Sequence, residues 1–423
     1  MCVESVPPPS SRVTRRGVLA GAAVLAGSAA VLSATPQAFG ATPKGAQRTG
    51  DLVIEGGTLL DPKTGEVTED AVVVIRGGVV RTVGARGRVD TPDGLPRLDA
   101  QGRWVLPGLV DAHIHINTVA EARDAVRQGA TSARSGSTNF YQDIAVRELA
   151  RRLPESAPRL SAAGVFVTPD LGDTILADPD LTPLARLKDG VRSAEALRRV
   201  VEVNLSRGAD VIKTRVNERA GLPEQDPLAQ VYSYEQLSEI VSAARRGGKG
   251  VLCHSYSRQG CHDAVTAGIR SLEHGVFVGE HTLDEMRRRG TYFTPTLTAI
   301  AGLADSDNPI LAERGRAYLP ILKRAVLDAH EMGVPLAAGT DSSGGRVRPI
   351  GREVELMKES GLSVLDAIRT ATTSAARLLG QERTLGRLAP GFSGDAVLLS
   401  GDPHKDVSLL KTPVRVVRQG LPL

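Results

Sequence analysis

Hydrophobic and polar positions follow one rhythm at the two ends of the chain and another between them. Near the start, Asp51–Glu55, Ala71–Arg76 and Val79–Val83 are apolar, β-branched runs separated by turn residues such as Gly56-Gly57 and Gly77-Gly78. Short runs bounded by glycine pairs are hairpin punctuation. The style returns at Asp395–Leu399 and Val414–Arg418, with the Gly401-Asp402-Pro403 turn between them. Two strand-rich ends predict one small β-sandwich domain, built from residues 41–106 and 381–423.

The middle, residues 107–380, alternates strand and helix patterns. Eight strands are predicted: Val105–Ile116, Gly129–Ser135, Leu160–Val167, Asp210–Val216, Gly250–Ser255, Ile269–His274, Thr291–Leu297 and Pro335–Asp341. The clearest helices are Ser193–Arg207, Ser233–Arg246, Leu311–Met332 and Ser363–Leu379. Eight such units in a stretch of this length predict an α/β fold of the (β/α)8 TIM barrel type. The alternative is a doubly wound sheet, but no Gly-x-Gly-x-x-Gly turn follows the first strand.

Composition narrows the function only slightly. Of 423 residues, 41% are hydrophobic and 24% charged, an ordinary globular balance, and only 3% are aromatic. So few aromatics, with basic residues in short runs such as Arg287-Arg288-Arg289, argue against nucleic acid as a partner. The first 40 residues are more specific. Arg15-Arg16 precedes a charge-free Ala/Gly/Val/Leu stretch from Gly17 to Ala34, and the small-residue site Ala38-Phe39-Gly40 follows. This is the order of an export signal and resembles a twin-arginine leader, implying export machinery as a partner and a periplasmic or extracellular location. An uncleaved membrane anchor is the other reading. Beyond the leader, only Cys253 and Cys261 remain, which reads as two buried thiols, with a disulfide as the alternative outside the cytoplasm.

Chemistry concentrates at strand ends. In Leu106-Pro107-Gly108-Leu109-Val110-Asp111-Ala112-His113-Ile114-His115, the two histidines lie two apart and share a strand face, so both can reach one metal. Lys213 lies in an apolar strand, where an amine must be neutralised or paired. One route is a buried ion pair. Another is addition of carbon dioxide, which turns the cation into an oxygen donor. His254, His274 and Asp341 close the fifth, sixth and eighth strands. All six candidates fall at C-terminal strand ends, the face on which barrel active sites form.

In these motifs the chain resembles the amidohydrolase superfamily, in particular its imidazolonepropionase-like and Xaa-Pro-dipeptidase-like branch. The matching stretches are the run ending at His115, Gly-Ala-Asp-Val-Ile-Lys at 208–213, the segment around His254, Ser-Leu-Glu-His-Gly at 271–275, Ala-Gly-Thr-Asp at 338–341, and Gly386–Asp395. The resemblance implies a metal-dependent hydrolase, with dipeptidases among its relatives, cleaving a C–N bond in an amide, peptide-like or cyclic amide small molecule. It implies two divalent ions, of a kind such as Zn2+: His113, His115 and Asp341 on one, His254 and His274 on the other. Carbamylated Lys213 and a hydroxide would bridge them, with Asp341 as proton shuttle. Asp341, Lys213, His254 and His274 are thus the expected catalytic set, and a homo-oligomer is the expected assembly.

Substrate contacts are expected from Arg134, Arg215, Tyr232, Tyr256, Arg346 and Arg348, because guanidinium groups bind carboxylates in pairs of hydrogen bonds. The chain departs from the peptidase-like pattern at Ala133-Arg134-Ser135 and at His254-Ser255-Tyr256, which bears on the substrate and leaves the ligands intact. A one-metal deaminase or ring hydrolase, or an inactive scaffold, are the alternatives. The presence of Lys213 argues against the first and the complete ligand set against the second.

Overall fold

In the computed structural model, which describes residues 49–172, 178–345 and 347–423, the first long strand of the hydrophobic pattern is broken at Gly108. The chain there crosses from one sheet to another. A Cβ on Gly108 would lie 2.2 Å from Thr131 Oγ1, and its backbone N–H donates to Asp395 O at 2.8 Å. Pro107 in front of it has no N–H to continue a ladder. The leader and Arg346 lie outside the described residues.

Before the break come β1 (Leu52–Leu60), β2 (Val67–Arg76), β3 (Val79–Ala85), β4 (Arg97–Asp99) and β5 (Trp104–Pro107). After it come β6 (Leu109–Ile114), β7 (Ala130–Ser135), β8 (Arg159–Ser161), β9 (Ile212–Arg215), β10 (Val251–Ser255), β11 (Ser271–His274) and β12 (Tyr292–Thr294). The chain ends with β13 (Ala396–Leu399), β14 (Arg415–Arg418) and β15 (Leu421–Pro422). The end strands form one eight-stranded sheet in the order β15-β14-β13-β5-β1-β2-β3, with β4 also paired to β1. It therefore mixes strands from both ends of the chain, as the pattern anticipated. Its apolar side closes on Leu52, Ile54, Val73, Ile75, Ala396, Leu398 and Val417.

Between the ends run two parallel sheets, β6-β7-β8 and β9-β10-β11-β12. Single bridges tie them together. Val167 pairs with Thr214 on one side, and on the other the extended segment 335–342 touches both, through Leu336–Phe293 and Ile114–Ser342. Helices follow most of these strands and cover a continuous apolar core. The result is a TIM-barrel-like α/β fold. Sequence periodicity overstated three of its strands, among them Thr291–Leu297, which is a strand only over β12 and enters a helix at Leu297. Leu160–Val167 is a ladder only over β8, and Pro335–Asp341 is extended but bonded through isolated bridges.

One predicted helix is two. Ser363–Leu379 divides into Val364–Thr370 and Thr373–Leu378, because Thr372 leaves helical geometry at φ −133° and ψ −98°. Its hydroxyl donates back to Ile368 O at 2.8 Å, the competing bond that makes threonine a weak helix former. Cys253 and Cys261 are free, buried thiols, and burial raises the pKa of each. Among the described residues, no helix is long and apolar enough to cross a membrane.

The helices Leu297–Ala304 and Pro309–Glu331 pack closely because Gly315 has no side chain. A Cβ there would lie 2.1 Å from Ala304 N and 2.6 Å from Leu303 C. Alanine would gain about 1 kcal/mol of helix propensity. Overpacking against rigid backbone costs about 1–3 kcal/mol, and no flexible side chain is present to yield. Gly315→Ala is therefore expected to lower the thermal midpoint by roughly 2–4 °C rather than raise it, as read by calorimetry.

Candidate active site

The strand ends deliver six side chains to one buried centre. His113, Lys213, His274 and Asp341 are fully buried, and His115 and His254 nearly so. His115 Nε2 lies 3.1 Å and His113 Nε2 3.4 Å from Asp341 Oδ1. The two histidines and this aspartate can each offer a ligand atom, all within 4.8 Å of one another. Lys213 Nζ lies 3.2 Å from His113 Nε2. His274 joins the group, its ring centroid 5.4 Å from that of His113 and 4.5 Å from that of His254.

Each imidazole is pinned through one nitrogen. His113 Nδ1 donates to Glu273 Oε2 at 2.6 Å and His115 Nδ1 to the carbonyl of Ser137 at 2.7 Å. His254 Nε2 donates to the carbonyl of Glu218 at 3.0 Å. His274 Nδ1 meets Thr296 Oγ1 at 2.7 Å, and that hydroxyl itself donates to Pro295 O. Carbonyls and carboxylates only accept, so these partners set the tautomers. In the neutral rings the other nitrogens, Nε2 of His113, His115 and His274 and Nδ1 of His254, are acceptors, and that of His113 faces Lys213 Nζ. His274 Nε2 is buried without a hydrogen-bond partner among the described residues.

Lone pairs and a carboxylate oxygen repel at 3.1–3.4 Å unless a cation or proton lies between them. Open space exists for one. A Cβ on Gly136 would stand 2.6 Å from Nε2 of both His113 and His115, so only glycine leaves this volume free. Imidazole and carboxylate donors without a thiolate suit zinc and its neighbours. The residues fit a bound divalent metal.

Two of the six side chains bend the chain to get there. His274 has φ +67° and Asp341 φ +49°, in the left-handed region that costs non-glycine residues about 1 kcal/mol or more. Adjacent side chains on a regular strand face opposite ways. The turn at His274 lets both Glu273 and His274 reach His113.

The electrostatics follow from burial. Burial alone would raise the pKa of Glu273, but Arg134 and His113 overcome it and hold the carboxyl down at about 2. Arg134 Nη2 lies 3.0 Å from Glu273 Oε1, giving a buried chain Arg134–Glu273–His113. His274 is held well below the ordinary histidine value, chiefly by burial and also by neighbouring groups that include Lys213, so it stays neutral. Burial raises Asp111 to about 7, against donors from Thr340 and the His113 backbone.

The predicted substrate contacts separate. Arg134 is buried and bonded to Ala112 O, Ser271 and Glu273, so it acts on His113 through Glu273. Tyr232 is buried with its hydroxyl donating to Val191 O at 2.9 Å. Arg215 bonds Thr168 Oγ1 and Glu218 and lies 6.0 Å from the Phe166 ring. Tyr256 does meet the centre, stacked on His274 with ring centroids 5.2 Å apart. Arg348 packs near Gly302, where its Nη2 would lie 2.6 Å from an added Cβ. Glu273, Gly136, Ser137 and Thr296 were not singled out from the sequence. Glu273 alone carried a signal, an acid inside an apolar strand motif.

Four imidazoles, a lysine and an aspartate around one buried centre, on a TIM-barrel-like scaffold, define a metal-dependent hydrolase. The chain belongs to the amidohydrolase family, whose sequence profile matches residues 104–421, and it is a C–N bond hydrolase. It is 28% identical over 407 residues to the ochratoxinase of Aspergillus niger, covering 85% of this chain and 83% of that protein. It is 24% identical over 392 residues to the imidazolonepropionase of Porphyromonas gingivalis, covering 80% and 85%. A crystal structure of a Xaa-Pro dipeptidase with bound methionine in the active site superposes with a TM-score of 0.78 at 25% identity, covering 88% of this chain and 99% of that one.

Glu273 and Arg134 predict separable effects. Glu273→Gln leaves a buried guanidinium uncompensated, which costs about 3–5 kcal/mol, and frees His113 to turn. Metal affinity, measured by chelator competition, should fall about 10–100-fold. Adding Arg134→Met should recover stability but not metal affinity.

Proposed function

We propose that the chain hydrolyses amide or peptide-like bonds of small molecules at a two-metal centre, with Asp341 as the proton shuttle and carbamylated Lys213 as the bridge. The observation that carries this reading is the convergence of four pinned imidazoles, Lys213 and Asp341 on one buried volume that Gly136 leaves open. His113, His115 and Asp341 would hold one ion, and His254 and His274 the other. Zinc fits these donors. Two divalent ions, when bound, supply Lewis acidity and an activated water near neutral pH.

The chain's residues supply the rest. Lys213, buried and beside His113, is the one amine in this ligand group. As a neutral amine it adds carbon dioxide: an N–C bond forms as one C–O π bond opens, one proton leaves the nitrogen, and the neutral amine becomes an anionic oxygen donor. Asp341, ionised and next to His115, accepts a proton in the attack step and returns it to the leaving amine as the C–N bond breaks. Tyr256, edge-on to His254 and stacked on His274, offers an aromatic wall. With Phe277 and Tyr318 beside it, this wall favours an apolar or cyclic group on the substrate. Likeness to a Xaa-Pro dipeptidase and to ochratoxinase supports dipeptides and N-acyl amino acids as the class to test first.

In this reading the two parallel sheets and segment 335–342 form a closed (β/α)8 barrel over residues 107–380. The mixed sheet is then part of a β-sandwich from residues 41–106 and 381–423. The twin-arginine leader, residues 1–40, exports the folded chain, which acts as a homo-oligomer.

Metal-loaded protein should hydrolyse members of a panel of dipeptides, N-acyl amino acids, lactams and carbamates. Lys213→Ala should lose metal and turnover, with partial rescue by added short carboxylic acids. Full activity and two metals in that variant would remove the bridge. Asp341→Asn keeps one ligating oxygen but no base, so turnover should fall about 10²–10⁴-fold while most metal is retained. Near-normal turnover in metal-replete Asp341→Asn would assign the proton transfer elsewhere.

A further inference from the structure

The end of the barrel opposite the ligands carries a second, differently built site. A cavity of about 570 Å³ opens there, lined by Arg147, Arg151, Arg159, Lys249, Arg418 and Asp210 among others. Arg159 begins β8, Asp210 precedes β9 and Lys249 precedes β10, so the cavity lies at N-terminal strand ends. Arg147 and Arg151 come from the helix Gln142–Arg152, and Arg418 ends β14. Five cations from four parts of the chain therefore face one space.

The carboxylates present do not neutralise them. Asp210 receives Arg147 and the backbone N–H of Ala162. Asp395, behind the wall, receives Arg418, Arg159 and the backbone N–H of Gln419. Glu148, on the exposed side, takes Arg147 and Arg151. Lys249 has no ion pair among the described residues. Arg418 is 1% exposed, yet its Nε has no hydrogen-bond partner among the described residues. Burying a guanidinium N–H without an acceptor costs about 1–3 kcal/mol, so an acceptor reaching Arg418 would stabilise it.

We propose that this cavity binds a small molecule bearing a multivalent oxyanion of the phosphate type, away from the metal-ligand centre and independently of the reaction assigned to it. Guanidinium groups match such an anion through paired hydrogen bonds, and a surplus of cations favours a doubly over a singly charged one. The cavity is larger than one phosphate group, which leaves room for the body of an ester. A bound anion joins the helix Gln142–Arg152, the β8 and β10 ends and strand β14.

The test is calorimetric titration of the metal-loaded full chain with inorganic phosphate and with glycerol phosphate, at constant ionic strength and against chloride. Both should bind once per chain at this site, and tighter binding of the ester identifies the ester as the form recognised, whereas equal affinity identifies free phosphate. Arg151→Gln with Lys249→Gln, both on accessible side chains, should weaken binding about tenfold or more and leave hydrolysis and the thermal midpoint without phosphate unchanged. At phosphate about ten times its dissociation constant, the wild-type midpoint should rise by about 2 °C, and that of the double variant should not. No heat of binding at millimolar phosphate, or equal affinity in wild type and double variant, overturns the site; the second result would place the anion at the metal centre.

Discussion

Mutual repulsion among buried acceptors is the constraint on which the rest of the structure depends. Nε2 of His113 and His115 and Oδ1 of Asp341 lie 3.1–3.4 Å apart across their contacts, in a region with almost no solvent. Neutral imidazole lone pairs and a carboxylate cannot be packed this way for stability alone. Lys213 Nζ, 3.2 Å from His113 Nε2, brings one positive charge to this group, and a cation shared among the acceptors offsets their lost contact with water. A divalent ion meets the requirement better than a proton, because several lone pairs can share it.

The surroundings are arranged to keep that requirement in place. Glu273, Ser137, Glu218 and Thr296 each hold one imidazole nitrogen, so no ring can rotate to find another partner. Arg134 keeps Glu273 ionised, and burial keeps His274 neutral. Left-handed backbone at His274 and Asp341 brings their side chains inward at some cost in conformational energy. The packing beneath is correspondingly tight: the helix that starts just after Thr296 is capped at Leu297 and Thr298 by the buried carboxylate of Glu353. Stability in the scaffold thus supports strain at the centre.

Much of this was legible in the order of residues. Strand periodicity located the ends of β6, β9, β10 and β11, and ligand types at those ends marked one face of an α/β fold. The supporting shell was not legible, for physical reasons. Period-two alternation assigns Glu273 and His274 to opposite faces, and only the positive φ at His274 brings both to His113. Arg134 has the chemistry of a carboxylate binder, but the carboxylate it finds is Glu273 inside the chain. Tyr232 likewise ends on a backbone carbonyl. Residue type predicts what a side chain can bind, while depth along the strand decides what it meets. The break at Gly108 was hidden because apolar residues continue on both sides of it, although the chain changes sheets there.

Anomalous diffraction from crystals of metal-reconstituted protein tests the central claim most directly. Two peaks per chain are expected, one bounded by His113, His115 and Asp341 and one by His254 and His274, with density joining Lys213 Nζ to both. Active, metal-replete crystals whose ions lie elsewhere, with these four imidazoles unligated, would contradict the account.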